Sequence, residues 1–227
     1  MRRSDLTRSL SIVAVTAAVG LALTACGGGS GDSAPSSQEP SAPPVDPAKT
    51  LTQADAPAGL TVATVPDDAA FQSAMQAVGQ VQAAAITPAS CKDKNVAAQQ
   101  EMLETIKYGT QQSLSKDKTV RYGVTLLPNS ARLSLFEAAG TGECGSITFG
   151  DSLKQTTTRK ELPAGVNGAQ GFVFEISRVA GGQTAHSASA YFTKNGVLAM
   201  VNANPGADGT VDTATFDEVV KRVAAKL

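Results

Sequence analysis

The chain has 227 residues, with 19 basic and 20 acidic side chains, one histidine, three cysteines and no tryptophan. So even a balance, with no block of Lys or Arg, excludes the electrostatic footprint of a nucleic-acid binder. A lone histidine argues against a multi-histidine metal centre, and the missing tryptophan removes the usual aromatic platform for sugars.

The first 25 residues read as a secretory signal. Arg2, Arg3 and Arg8 give it positive charge, residues 10–23 are a short apolar stretch, and small residues follow. A membrane-spanning helix needs about 20 predominantly apolar residues, and here glycine and serine take over instead. Leu23-Thr24-Ala25-Cys26 resembles the lipobox of bacterial lipoproteins at all four positions. The resemblance implies cleavage before Cys26 and a diacylglyceryl thioether on its sulfur. Two acyl chains give stable attachment to a bilayer, so the expected location is the outer face of the cytoplasmic membrane. Asp5 stands where a twin-arginine signal carries a large apolar residue, which favours the general secretion route. Removing Arg2, Arg3, Arg8 and Asp5 with the signal leaves 16 basic and 19 acidic side chains, a net charge of −3.

Residues 26–50 are dense in Gly, Ser and Pro and nearly devoid of large apolar side chains, the composition of a disordered tether. Its reach is on the order of 30 Å. Residues 51–227 are then one extracytoplasmic domain. With Cys26 lipidated, Cys91 and Cys144 are left in an oxidising compartment, where they are expected to pair as a disulfide.

Within the domain, residues 59–65 favour a strand that stops at Pro66, and Asp67 and Asp68 suit a helix N-terminus. Phe71, Met75, Val78, Val81 and Ala85 fall at helical spacing, predicting a stripe laid on a sheet with Met75 in the core. A second helix is expected over 96–112, with Met102, Leu103 and Ile106 inward. From Thr119 the period becomes two: Val120, Tyr122, Val124 and Leu126 predict a half-buried strand, a turn at Pro128-Asn129-Ser130, and a partner strand through Leu133 and Leu135. Residues 156–161 read as a solvated strand or loop.

Phe172, Phe174 and Ile176 alternate with Val173, Glu175 and Ser177 up to Gly181-Gly182, and residues 185–193 form the returning strand. Asn195-Gly196 is the pair a two-residue type I′ turn demands, so residues 197–201 continue the meander. Phe216, Val219, Val220, Val223, Ala224 and Leu227 then share one helical face, with Thr215 and Glu218 spaced as a capping box. Lys221, Arg222 and Lys226 complement the dipole at its end. The fold class is α+β: an antiparallel sheet, with its C-terminal meander, packed against flanking helices and stapled by one disulfide.

No nucleophile elbow, phosphate loop, dinucleotide fingerprint or zinc-protease motif is present, so neither catalysis nor a cofactor is expected. His186 shares a strand face with Ala188, Ala190 and Phe192 and reads as a core or edge histidine. Asn202, Asn204, Asp208 and Asp212 offer oxygens in a Gly-containing loop, but at no calcium-loop spacing. They read as turn formers and caps.

A lipobox, a Pro-rich tether, an amphipathic helix, Pro88-Ala89-Ser90-Cys91 leading into a helix, a later Cys144 and a closing meander with terminal helix together resemble the actinobacterial sensor-domain lipoproteins. These are similar to the extracellular domain of the mycobacterial receptor kinase PknH. The resemblance covers residues 55–227 and implies an antiparallel sheet flanked by helices around a cleft, with disulfides across it, that binds an unidentified envelope ligand. The kinase-borne relatives carry two disulfides, whereas only Cys91 and Cys144 can pair here. A non-catalytic binding or sensor-like domain is the leading expectation. A carrier of lipid or another hydrophobic ligand is the alternative, since a curved sheet under helices can enclose an apolar cavity.

Overall fold

The computed structural model describes residues 43–128 and 131–227. The signal, Cys26 and most of the tether lie outside the described residues, as do Asn129 and Ser130 of the expected turn.

Among the described residues nine strands form, β1 (Thr61–Val65), β2 (Ile86–Thr87), β3 (Thr110–Lys116), β4 (Thr119–Pro128), β5 (Ser146–Phe149), β6 (Leu153–Lys160), β7 (Gln170–Ala180), β8 (Gln183–Lys194) and β9 (Val197–Ala203), and they join one antiparallel sheet in the order β1-β3-β4-β9-β8-β7-β6-β5-β2. Its centre is the meander that alternation predicts: β7 (Gln170–Ala180), β8 (Gln183–Lys194) and β9 (Val197–Ala203). Two glycines make the first turn, and Asn195 (φ 45°) with Gly196 (φ 75°) makes the second. Both residues of a type I′ turn need positive φ, which is why this pair fixes the register Lys194↔Val197.

Alternation splits the sheet residues between two cores. Val124, Leu126, Ala190, Phe192, Ala199 and Val201 face α4 (Thr213–Lys226), which buries Phe216, Val219, Val220, Val223 and Ala224 against them. Phe172, Phe174, Leu198 and Met200 face the other way, toward α1 (Asp67–Ala83), α2 (Ala89–Ile106) and α3 (Leu133–Gly140). The α+β class, the antiparallel sheet, the flanking helices and the Cys91–Cys144 disulfide all stand as expected.

The structure departs from the sequence reading in five places. Leu133 and Leu135 lie in α3 rather than a strand, because the pair that buries is Phe136 and Gly140, spaced four apart. Glu101, buried on α2, accepts the Arg132 N–H at 2.8 Å and two guanidinium bonds at 2.9 and 2.6 Å, holding the chain where α3 begins. Second, Phe71 and Met75 are 37% and 42% exposed, and Ala85 is exposed too. The buried face of α1 is Ala70, Ala74 and Val78, small side chains that let it lie on α2 instead of flat on the sheet.

Third, α2 begins at Ala89 and ends at Ile106, leaving Thr110–Lys116 to form β3 beside β4 (Thr119–Pro128). Fourth, the cap of α4 is Asp212, whose carboxylate accepts the Thr215 N–H at 3.0 Å, while Glu218 pairs with Arg222 instead. Fifth, among the described residues packing starts at Val45 rather than at residue 51. Val45 and Leu51 are buried in the α4-side core, and the Gln112 amide holds both the N–H and the carbonyl of Leu51.

This entering segment is pinned to α4 by Asp55. Its carboxylate accepts from the Thr52 hydroxyl (2.7 Å) and N–H (2.8 Å), and the Lys226 ammonium lies 3.2 Å away. The Thr52 donors, with Lys226 adding to them, hold the Asp55 carboxyl down at about 2, from an ordinary 3.8. A carboxyl lowered by folding stabilises the fold above its unfolded value, and that contribution fades as pH falls toward the folded one. Asp55→Asn is therefore expected to flatten the loss of thermal stability between about pH 4 and pH 2. Unfolding midpoints of both forms across that range check it.

Candidate functional site

A candidate site lies on the helix side of the sheet, where the three helices do not close completely over the strands. Its floor is Phe174, Ile176 and Arg178 of β7, Tyr191 of β8, and Gln155 and Thr157 of β6 (Leu153–Lys160). Its walls are Val81 of α1, Asn95, Ala98 and Gln99 of α2, and Phe136, Ala139 and Gly140 of α3, with Phe149 from β5 (Ser146–Phe149). The cleft volume is about 210 Å³.

The disulfide joins the start of one cleft wall, α2, to the turn that follows another, α3. Cys91 sits in the first turn of α2 and Cys144 in the turn after α3, and both are completely buried with Ile86 and Ile147. Asn95, one turn along α2 from Cys91, donates to the Cys91 carbonyl at 2.8 Å and toward the Ala139 carbonyl at 3.4 Å, linking the two walls. Gly140 lets α3 come down on the floor: a Cβ there would lie 2.6 Å from the Phe174 ring. Phe136, Phe172, Phe174 and Tyr191 form a cluster with ring centroids 4.7 to 5.8 Å apart.

Burial pushes the Tyr191 phenol up, against the opposing pull of the Ser189 hydroxyl and the nearby Arg178 charge. It remains a neutral donor at physiological pH. Arg178 donates from Nε to Gln155 Oε1 at 2.9 Å. Arg178 is exposed, and although partial desolvation lowers its pKa, an arginine retains its proton under such pressure. The lining thus combines an aromatic floor, three amide side chains and one guanidinium.

The residues that the sequence singles out fall elsewhere. His186 does share a face with Ala188, Ala190 and Phe192, on the opposite side of the sheet from the cleft. It is exposed rather than buried, because α4 starts at Thr213 and covers the strand only from Ala188 onward. There it borders a second hollow of about 400 Å³ with Thr156, Ser177, Glu175 and Val211. A third, also about 400 Å³, is lined by Lys116, Arg121, Asn204, Asp208 and Asp212.

In that third hollow the carboxylates are already engaged. Asp208 accepts the Thr210 N–H and hydroxyl, Asp212 those of Thr215, and these bonds hold both carboxyls below the usual range. Asn202 belongs to β9 and alternates with the opposite face, alongside Met200. Among the described residues, the His, Cys, Asp and Glu atoms close enough to hold a metal are those of Cys91, Glu143 and Cys144, and the two sulfurs are bonded to each other.

Sequence reasoning missed the cleft residues Gln155, Arg178, Tyr191, Asn95 and Gln99. One signal was present: Phe172, Phe174 and Ile176 predict an inward face, and the next residue in that register is Arg178, an arginine continuing an apolar stripe.

No protein-family model matches the chain. No curated protein matches it either. Among solved structures, it is similar to an uncharacterized protein of Mycobacterium smegmatis described as an Rv0999 ortholog, with 14% identity over 76% of this chain and 91% of that one and a TM-score of 0.47.

Proposed function

We propose that this chain is a lipid-anchored, non-catalytic binding domain of the bacterial cell envelope, of the sensor-domain lipoprotein kind, which holds a small ligand in the helix-roofed cleft. The observation that carries the reading is the lining of that cleft. Aromatic rings, amides and a guanidinium converge there, while no carboxylate, serine, histidine or free thiol is among its lining residues. Such a set recognises and orients a molecule but offers no nucleophile or general base. The sheet, the flanking helices and the disulfide beside the cleft also fit what the sequence resemblance implies.

Size favours a compact ligand over lipid carriage, since about 210 Å³ is less than the ~300–1,000 Å³ of ordinary small-molecule pockets. The location rests on the amino-terminal reading: signal over residues 1–25, lipid on Cys26, and a tether that lifts the domain off the headgroups. Intact mass of the protein taken from its own membrane tests this part. The expected species begins at Cys26 and carries a diacylglyceryl group, whereas a Cys26→Ala chain has no such group and leaves the membrane fraction. An unlipidated wild-type chain in the soluble fraction would sink the tether.

A further inference from the structure

The charge in the cleft is what remains unexplained by folding. Of the domain's five arginines, Arg121 donates to the Pro205 carbonyl at 3.2 Å outside the cleft, and the other four show the contrast. Arg132 is held by Glu101, Arg222 by Glu218, and Arg159 by Glu137 at 2.8 Å and Glu161 at 3.1 Å. Arg159 and Arg178 lie on strands that pair with each other, in β6 and β7, and both alternate onto the helix side of the sheet. Arg159 stacks over the Phe172 ring, 5.3 Å from its centroid, with its charge neutralised by the two glutamates. Arg178 lines the cleft with only the neutral Gln155 amide as its hydrogen-bond partner, and no Asp or Glu is among the residues lining the cleft.

This arrangement has a specific consequence. Gln155 takes the Nε proton and so fixes the plane of the guanidinium, which leaves the Nη edge for another acceptor. A guanidinium edge presents parallel donors that match a carboxylate two for two. Phe136, Phe149, Phe174 and Tyr191 line the same cleft, so a ligand held on the exposed guanidinium would lay its body against apolar rings. A phosphate dianion would call for further cations or a nest of backbone N–H groups, and the lining holds one cation. A single negative charge on an apolar body is the better complement. The volume, about 210 Å³, is somewhat above the roughly 150 Å³ of an engineered apolar cavity that takes up benzene.

We infer that the cleft recognises a small organic monocarboxylate, its carboxylate on the Nη edge of Arg178 and its aromatic or short aliphatic body against Phe136, Phe174 and Tyr191. This rests on the reading of the cleft as a ligand site and adds to it the chemical class of the ligand. Arg178 selects charge, and the ring cluster selects an apolar body of limited size.

Calorimetric titration of the full exported chain, disulfide intact, with benzoate, benzamide and acetate tests the inference. Benzoate and benzamide share a ring and differ in charge, while acetate has the charge without the ring. Benzoate is expected to bind about tenfold more tightly than benzamide, with acetate weaker than benzoate, and added salt should narrow the gap between benzoate and benzamide. Arg178→Gln should abolish the preference for benzoate over benzamide while leaving the unfolding midpoint unchanged. Equal affinity for benzoate and benzamide, a preference that survives Arg178→Gln, acetate binding as tightly as benzoate, or no uptake of benzoate would each overturn the monocarboxylate assignment. The broader reading of a ligand cleft is decided separately, by whether protein from its own envelope carries any small molecule there.

Discussion

Replacing Cys91 and Cys144 together by alanine is expected to lower the stability of the domain by about 4 kcal/mol. The bridge joins residues 53 apart in sequence, and closing a loop of that length removes a corresponding entropy from the unfolded chain. Ile86 and Ile147 surround the completely buried sulfurs, so two alanines also leave a small void. The effect has a local face as well. Because the bridge joins the first turn of α2 to the turn after α3, its loss should loosen the cleft walls before the α4-side core. Urea unfolding of the oxidised, reduced and double-alanine forms checks the magnitude, and amide exchange checks where the loosening starts. A change below about 1 kcal/mol would mean that packing alone fixes the two walls.

The second large effect distinguishes burial from hydrophobicity. Phe192→Ala is expected to cost about 4 kcal/mol, since the ring, on β8, is completely buried in the core that faces α4 and its removal leaves a cavity the sheet cannot close. Phe71→Ala removes the same atoms from the outer side of α1 and is expected to cost about 0.5 kcal/mol. Chemical denaturation of both variants decides it. Similar losses at the two positions would show that α1 buries Phe71, as its spacing in the sequence alone predicts.

That contrast marks what could be read from the chain and what could not. The meander was legible because Phe172, Phe174 and Ile176 alternate cleanly and Asn195-Gly196 dictates its own turn. The C-terminal helix was legible because six apolar residues share one face. β3 was not, because Gln111, Gln112, Ser113 and Ser115 carry little apolar pattern, and its hairpin turns at Asp117 and Lys118, both with positive φ but neither a glycine. α3 was misread because leucines two apart imitate strand alternation, while the residues that bury, Phe136 and Gly140, include one with no side chain. α1 was placed correctly but turned wrongly: alanines decide its packing, and hydrophobic spacing gives them little weight.

The cleft itself could not be found from local pattern, since six strands and helices far apart in sequence supply its amides, rings and guanidinium. Arg178 was the exception, an arginine at the end of an inward-facing apolar row. Of the residues that drew notice first, His186, Asn204, Asp208 and Asp212 border other hollows, Asn202 lies on the opposite face of the sheet from them, and Asp208 and Asp212 serve the local backbone.

The central claim is that the helix-roofed cleft holds a small ligand, and native mass spectrometry of the protein taken from its own envelope tests it most directly. Gln99→Trp, on the half-buried wall of α2, places a large ring in the cleft and serves as the matched control. The account predicts a reproducible small-molecule adduct on the wild-type chain that Gln99→Trp lacks. A wild-type chain that is always bare, or an adduct that Gln99→Trp retains in full, would contradict it.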